Sequence, residues 1–373
     1  MKTATDQTPK FEYGVLLPHF GSHAQRERLI EGSKKIEDYG FDSVWVRDHV
    51  VYHPHTHEDQ DRTHLDPLIV LSAIGAVTDS IKLATGSLIP HRHPIQLALA
   101  VSSLDFLVAP GRILLSMGIG TYNHEFEAIG LGEWDRREVL EEYVAVVRQM
   151  WTGKTSSFDG KYYRFTDVDV HPTPAEPIPI WYGGMSLASV RRAVEYCDGW
   201  IPGRMPMRDY ARLLRRMDRI AGEHGRARPH TGAIPLICPA PTVEEGLAFL
   251  DIPQLEIEMR RNNFLEPESA SGGFSTVTDF DGAVIVGPPD VIVEEVLRCQ
   301  EVGVEHFVFD FRQRFEAYEE CLAILGEEVL PKLHRATGRQ TAAVEGQATA
   351  GPDTLMDHRP TLTGPLTSER NDA

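Results

Sequence analysis

The feature that most constrains the fold is a regular alternation of short apolar runs with longer amphipathic segments, which begins near Phe11. Short runs rich in β-branched and aromatic residues are typical of strands, whereas apolar residues at every third or fourth position are typical of helices. Strands that alternate with helices form parallel sheets, because each helix returns the chain to the edge where the next strand starts. The alternation therefore predicts an α/β protein with a parallel sheet.

The alternation supports eight strand-helix units. The predicted strands have the sequences FEYGVLLP, DSVWVRDH, IKLATGS, RILLSMGIG, IPIWYGG, DGWIPG, GAIPLICP and VEHFVFDF. Eight strands and eight helices are typical of a TIM (β/α)8 barrel, here with insertions. An open doubly wound sheet is the alternative, but that fold carries a G-x-G-x-x-G turn after its first strand, and LLPHFGSHAQ does not match this pattern.

We predict that the barrel spans residues 11–335 as one domain. A polar, proline-rich stretch interrupts the alternation after Trp151, and we interpret it as an insertion with a hairpin at FDGKYYRF. Residues 336–373 contain no aromatic residue and no sustained apolar period, which is typical of a disordered tail.

Composition limits the partners of the chain. A net charge of −18 argues against a nucleic-acid surface, because such surfaces need clustered lysine and arginine. The four cysteines are far apart and the polar N-terminus lacks a signal-peptide pattern, so we expect a reducing cytoplasm. No apolar run approaches the roughly 20 residues that span a bilayer. We therefore expect a cytoplasmic protein that acts on a small molecule.

Polar side chains collect at the predicted carboxyl ends of the first four strands, where TIM barrels place their active sites. These residues are His19, Asp48, His49, His91, His93, Asn123 and His124. Histidine suits general acid-base catalysis because its pKa is about 6.5. One loop histidine carries little information, so the prediction rests on their shared position.

The loop after the second strand has an unusual composition, with several acidic residues and five histidines: His49, His53, His55, His57 and His64. Imidazole and carboxylate are suitable ligands for zinc, which leaves a metal-dependent hydrolase open as an alternative. A solvated loop that shapes substrate access has the same composition, and we expect no metal site.

A glycine turn, WYGGMS, follows the fifth strand and precedes a helix. Its backbone N–H groups, the helix N-terminus and Ser186 together form a plausible phosphate site. The sequence contains no P-loop, no nucleophile elbow and no paired-carboxylate motif.

Five motifs together, TGSLIPHRHP, SSLDFLVAPGRILLSMGIG, NHEFEAIG, IPIWYGGMS and CDGWIPG, resemble the luciferase-like family of flavin-dependent oxidoreductases, especially its F420-dependent group. The resemblance covers about Phe11 to Leu333 and implies a TIM barrel that uses reduced FMN or the deazaflavin F420. A monooxygenase acting on a small organic substrate is the main expectation, and F420-dependent hydride transfer without O2 is the alternative. A non-catalytic flavin-binding protein is a third hypothesis. The family also implies a homodimer. If the protein is a monooxygenase, the resemblance further implies a separate flavin reductase.

The resemblance assigns roles to individual residues. Asp48 and His49 match the family's Asp-His pair, in which the histidine is a candidate proton donor or acceptor. Gly86 and Ser87 match a backbone site behind the isoalloxazine ring, often with a non-prolyl cis peptide, and Asn123 matches a polar ring contact. The other implied cofactor contacts are Gly183, Gly184, Met185 and Ser186 at the phosphate turn, followed by Gly203 and Arg204. The histidine-rich loop departs from the family pattern, so the resemblance implies no particular substrate.

Overall fold

A computed structural model describes residues 11–52, 61–260, 274 and 276–339. Within them, eight parallel strands close into a barrel, which confirms the predicted TIM barrel. In order around the barrel, and numbered along the whole chain, these strands are β1 (Glu12–Leu16), β2 (Ser43–Val46), β3 (Lys82–Leu88), β4 (Ile113–Gly118), β7 (Ile180–Gly183), β8 (Gly199–Ile201), β9 (His230–Ala233) and β12 (His306–Phe309).

Helices follow the barrel strands and bury one apolar face against them. The helices are α1 (Arg26–Asp38), α2 (Pro67–Gly75), α3 (Pro94–Leu107), α4 (Asn123–Ala128), α5 (Arg136–Met150), α6 (Leu187–Tyr196), α7 (Met207–Glu223), α8 (Val243–Leu247), α9 (Ile252–Arg260), α10 (Val277–Phe280), α11 (Pro289–Val302), α12 (Tyr318–Ala323) and α13 (Leu330–Ala336). In α7, for example, Tyr210, Leu213 and Met217 are buried at helical spacing. Proline at the first position of α2 and α3 suits a helix start, because its missing N–H has no partner there.

In the described part of the chain, two small sheets lie outside the barrel. Strands β5 (Ser156–Asp159) and β6 (Arg164–Val168) pair antiparallel, which confirms the hairpin predicted at FDGKYYRF. Strands β10 (Leu236–Pro239) and β11 (Val284–Gly287) pair parallel with each other.

The prediction of GAIPLICP as one barrel strand is wrong. Strand β9 ends at Ala233, two residues before Pro235. Of the run GAIPLICP, only the first two residues, Gly232 and Ala233, belong to a barrel strand. Proline has no N–H to donate to a neighbouring strand, so it interrupts the hydrogen-bond ladder. The chain then leaves the barrel as β10, and this exit brings Ile234 to the carboxyl end of the barrel.

The interior of the barrel is filled by side chains from alternate strand positions. Trp45 points inward, whereas Val44 and Val46 pack against the surrounding helices. The interior cluster consists of Leu16, Trp45, Ala84, Leu114, Trp181, Ile201 and Val308. The barrel is therefore a packed core and not an open channel.

A polar network joins strands at the opposite, amino end of the barrel. The Glu12 carboxylate accepts hydrogen bonds from Lys82 Nζ at 2.6 and 2.8 Å and lies 3.1 Å from His306 Nδ1. His306 Nε2 in turn lies 2.8 Å from Ser43 Oγ. Burial raises the pKa of Glu12, but the hydrogen bonds and charges of His306 and Lys82 outweigh it and lower the pKa to about 2. Glu12 thus links β1, β2, β3 and β12.

The C-terminal end of the described chain returns to the barrel. Arg339 donates hydrogen bonds of 2.6 and 2.7 Å to the Asp42 carboxylate, just after α13. Residues 340–373, most of the predicted tail, lie outside the described residues, so the boundary at 335 stays a prediction. None of the described helices combines the length and the apolar character that a bilayer crossing requires.

Glu12→Gln should destabilise the protein in a pH-dependent way. The pKa of Glu12 is lower in the folded state, so its stabilisation, about 3 kcal/mol, is fully present above pH 4.5 and is lost as the pH falls toward 2. Urea unfolding of both proteins at several pH values measures this difference. Glu138→Gln, which removes an exposed ion pair with Lys161, is the control and should have little effect. A pH-independent difference for Glu12→Gln would contradict the assignment.

Candidate active site

A cavity of about 510 Å³ opens at the carboxyl ends of the barrel strands. This volume lies in the range of small-molecule sites. The cavity brings together most of the residues predicted as site residues: Asp48, His49, Gly86, Ser87, Gly183, Gly184, Met185, Ser186 and Gly203. Two predicted residues, Asn123 and Arg204, do not line it.

The floor of the cavity is formed by backbone at the ends of β3 and β7. The Gly86–Ser87 peptide bond is cis, in line with what the family resemblance implies, and the pairing of β3 with β4 shifts register at this point. Ser87 Oγ lies 2.6 Å from Ser116 Oγ, and a Cβ atom on Gly183 would lie only 2.1 Å from Ser87 Oγ. Gly183 therefore leaves room for Ser87, and the floor is built largely from backbone.

The wall after β7 leads into the N-terminus of α6. Ser186 caps this helix by accepting a hydrogen bond of 3.1 Å from the Ser189 backbone N–H. A Cβ atom on Gly184 would lie 2.5 Å from Ser189 Oγ, so glycine allows this turn to pack closely. The helix N-terminus carries partial positive charge, and an anionic group is favoured there.

His49 is held by a buried carboxylate. Its Nδ1 lies 3.0 Å from Glu125 Oε1, and the Val50 backbone N–H donates to the same oxygen at 3.1 Å. Burial raises the pKa of Glu125, but the hydrogen bond and charge of His49 outweigh it, so the pKa lies below its ordinary value. Glu125 is therefore ionised near neutral pH and orients the imidazole. The sequence analysis missed Glu125, although it stands next to His124 in the NHEFEAIG motif.

Asp48 is committed to a salt bridge. Its buried carboxylate accepts from Arg92 at 2.8 and 3.1 Å and from the Ile89 backbone N–H at 3.0 Å. Arg92 also donates to Asp66, the N-cap of α2, at 2.6 Å. Both oxygens of Asp48 thus fix neighbouring loops, which is a positioning role; a catalytic role for Asp48 stays a prediction.

Several polar residues at the strand ends have structural contacts instead. His19 is buried, with its ring nitrogens near the backbone of Leu17 and Arg47. His93 caps α3 by accepting from the Ile95 N–H. Asn123 is exposed and accepts from Arg136 at 2.8 Å. The ring contact by Asn123 stays a prediction, and Thr121, two residues earlier, lines the cavity. His91 packs against Phe126, and burial lowers its pKa.

A smaller compartment of about 230 Å³ adjoins the cavity and shares four lining residues with it: Gly86, Met185, Gly203 and Ile234. Arg204, which follows β8, lines this compartment and not the larger cavity. Its Nη2 donates to Glu258 at 2.7 Å, and its Nη1 lies 3.8 Å from Asp310 Oδ2. Arg312 donates to Asp310 at 2.8 and 2.9 Å. Asp310 and Arg312 directly follow the eighth strand, so the strand-end rule would have found them if it had been applied to that strand.

The metal hypothesis concerns the histidines of the loop after β2. His53, His55 and His57 lie outside the described residues. Among the residues that are described, no cluster of three or more His, Cys, Asp or Glu side chains is arranged to hold a metal ion. His64 stacks on Phe20 with ring centroids 4.4 Å apart.

Comparisons with known proteins agree with this geometry. A model of the luciferase-like monooxygenase family matches residues 11–306. The chain is 29% identical over 357 residues to the F420-dependent glucose-6-phosphate dehydrogenase of Microbacterium testaceum, which covers 87% of this chain and 98% of that protein. It is 32% identical over 216 residues to the F420-dependent hydroxymycolic acid dehydrogenase of Mycobacterium tuberculosis, covering 57% of this chain and 58% of that protein.

Solved structures show the same fold at lower identity. An F420-dependent secondary alcohol dehydrogenase in complex with an F420-acetone adduct superposes with a TM-score of 0.69 at 19% identity, covering 87% of this chain and 99% of that one. The oxygenating constituent of 3,6-diketocamphane monooxygenase from Pseudomonas putida, in complex with FMN, gives a TM-score of 0.67 at 19% identity with the same coverage.

Gly183→Ala should destabilise the folded protein, because the added methyl group collides with Ser87. Overpacking of this kind costs about 2 kcal/mol, and the displaced Ser87 should also weaken ligand binding in the cavity. Gly203→Ala is the matched control, since its nearest neighbour, Met185 Sδ, would lie 3.6 Å away. Thermal unfolding of the two variants measures the difference. Equal melting temperatures would show that the floor tolerates a side chain at residue 183.

Proposed function

The chain belongs to the luciferase-like monooxygenase family, and from this premise we propose that it is an F420-dependent dehydrogenase that oxidises a hydroxyl group of an organic substrate. The family and the relatives make it an oxidoreductase that uses F420 or FMN. They give no support to the metal-dependent hydrolase alternative. The choice of F420 and of hydride transfer is the proposal.

Several relatives are F420-dependent enzymes, which favours F420 over FMN as the cofactor of this chain. Glucose-6-phosphate dehydrogenases described as F420-dependent, from Microbacterium testaceum, Nakamurella multipartita and Segniliparus rotundus, match 79–88% of this chain at 28–29% identity. When bound, F420 supplies a two-electron acceptor for a hydride from carbon, whereas oxygenation would need a flavin that reacts with O2. The protein contributes binding, orientation and proton transfer.

The cavity fits a flat cofactor with an anionic tail. The backbone floor at Gly86, Ser87 and Gly183 suits the face of a tricyclic ring, because no side chain projects from either glycine. Ser186 and the N-terminus of α6 suit a phosphate group. These are the residues that would hold F420, and the observation that carries the proposal is their convergence on the same cavity as His49.

His49 is the group that takes the proton. As the substrate C–H bond breaks and its hydride leaves, the hydroxyl O–H bond also breaks, the carbonyl forms, and the proton passes to His49 Nε2. The Glu125 carboxylate holds Nδ1 at 3.0 Å, which selects the tautomer and stabilises the imidazolium that results. Asp48 and Arg92 keep the loop of His49 in position.

A second copy of the chain is the proposed partner. Ile69 of α2 and Phe106 and Leu107 of α3 are 71%, 75% and 76% exposed. Both helices are fully described, they pack side by side, and their exposed positions carry no charged side chain. Depletion of charge with exposed aromatic and aliphatic residues is typical of an interface. The α2–α3 face is therefore assigned to a homodimer.

The cytoplasm is the proposed location. All four cysteines are free and buried, as expected for a protein folded in a reducing compartment. A separate flavin reductase belongs to the monooxygenase alternative and has no role in the dehydrogenase, since the substrate itself supplies the electrons.

Fluorescence titration with F420 and FMN, followed by turnover assays with a panel of alcohols and sugars, tests the function. We expect F420 to bind more tightly, without O2 consumption. His49→Gln should retain F420 binding and lose about 10²- to 10⁴-fold in turnover, because glutamine cannot take the proton. His124→Gln is the control, since His124 stands near the same mouth but does not line the cavity. Preference for FMN with O2 consumption would instead establish the monooxygenase.

Phe106→Asp should convert the protein to a monomer, because a charge in an apolar interface stays unpaired. Light scattering coupled to gel filtration gives the mass in solution. Val243→Asp, at an exposed position of α8, is the control and should leave the dimer intact. A monomeric wild-type protein, or a dimeric Phe106→Asp variant, would refute the assigned face.

A further inference from the structure

The smaller compartment is placed to receive the substrate. It shares Gly86, Met185, Gly203 and Ile234 with the larger cavity, so a molecule that occupies it lies beside the proposed ring site. Its charged residues come from three separate parts of the chain, after β8, on α9 and after β12. We propose that this compartment binds the hydroxyl groups of an uncharged polyhydroxy substrate and disfavours phosphate esters; the inference rests on the proposed dehydrogenase function.

Arg204 has more donors than its protein partners use. A guanidinium carries five N–H donors, and the side chain of Arg204 is only 17% exposed. Within the described part of the chain its hydrogen bond goes to Glu258, while Nη1 is buried without a hydrogen-bond partner and lies 3.8 Å from Asp310 Oδ2. Buried donors in native proteins are almost always satisfied. An oxygen acceptor on a ligand could satisfy the Nη1 donor of Arg204 if the guanidinium group shifted slightly.

The charges of the compartment compensate one another. Two guanidinium groups, Arg204 and Arg312, face two carboxylates, Glu258 and Asp310. Burial raises the pKa of Asp310, but the charges of Arg312, Arg204 and Arg47 outweigh it, so this carboxylate stays ionised. Arg47 lines the larger cavity rather than the compartment. Among the described lining residues, a doubly charged phosphate would therefore meet two carboxylates and two guanidinium groups, with no net positive charge to attract it.

Hydroxyl groups fit this arrangement better than phosphate does. A hydroxyl both donates and accepts, and Arg204 Nη2 and Glu258 Oε2 present a donor and an acceptor 2.7 Å apart. Phosphate oxygens are strong acceptors only, so the carboxylates offer them repulsion. Met185, Met259 and Ile234 line the same space and give the C–H faces of a polyol apolar contact.

Charge-changing variants test the proposal on the F420-loaded protein, with inorganic phosphate as the probe. Glu258→Gln removes one carboxylate, so phosphate should bind about tenfold more tightly than to wild type in isothermal titration. Glu256→Gln makes the same change in charge on the same helix, but Glu256 pairs with Arg260 outside the compartment. It should leave the affinity for phosphate at the wild-type value. Equal phosphate affinities for the two variants would overturn the proposal.

A second test compares substrates that differ only in a phosphate group. Wild type should oxidise glucose or glycerol with a higher kcat/KM than glucose 6-phosphate or glycerol 3-phosphate, and Arg204→Gln should raise KM for the uncharged compound without weakening F420 binding. Faster turnover of the phosphate esters, or loss of F420 binding in Arg204→Gln, would refute the assignment. Failure of F420 binding in wild type would refute the proposed function instead. In that case the phosphate affinities of Glu258→Gln and Glu256→Gln without F420 decide the charge argument, because both variants keep the same phosphate site at Ser186.

Discussion

The close approach of β3 to β7 at the mouth of the barrel is the constraint on which the site depends. Ser87 lies against the backbone of Gly183 with no space for a second side chain, and its hydroxyl is held by Ser116 on the intervening strand. Three neighbouring strands meet there with the small residues Gly86, Ser87, Gly118 and Gly183, and the Trp45 indole lies next to Gly86. These small residues leave room for a planar cofactor, and His49 reaches the same cavity from the loop after β2.

The rim is organised by two buried carboxylates, Glu125 and Asp48. Glu125 holds His49 and the following backbone N–H, and Asp48 holds Arg92, so one loop is fixed from two sides. Both carboxylates are buried, where a charge is tolerated only with close partners. Loss of either carboxylate would release the histidine as well as remove a charge. The position of His49 therefore depends on residues that follow three strands, β2, β3 and β4.

The sequence predicted those features that depend on local pattern. The barrel, the hairpin after Trp151 and the glycine turn at Gly183 each have short-range signatures in periodicity or turn residues. The contact that the sequence did not predict joins residues far apart in the chain. Glu125 lies 76 residues from His49, and nothing in either segment specifies the pairing. Strand β10 left the barrel because Pro235 cannot continue the ladder, a signal that was present but outweighed by the apolar run around it.

At the mouth of the barrel, positively charged side chains are paired with carboxylates, so the net charge of the chain does not determine which substrates bind. The chain carries −18 overall, yet the guanidinium groups of Arg92, Arg204 and Arg312 each contact a carboxylate at the rim. The negative net charge therefore repels an anionic substrate at long range, and the carboxylates paired with these three arginines reduce the positive charge that could offset this repulsion. Discrimination among substrates must then come from hydrogen-bond geometry inside the two compartments. A rim of paired charges is suited to a substrate that offers donors and acceptors together.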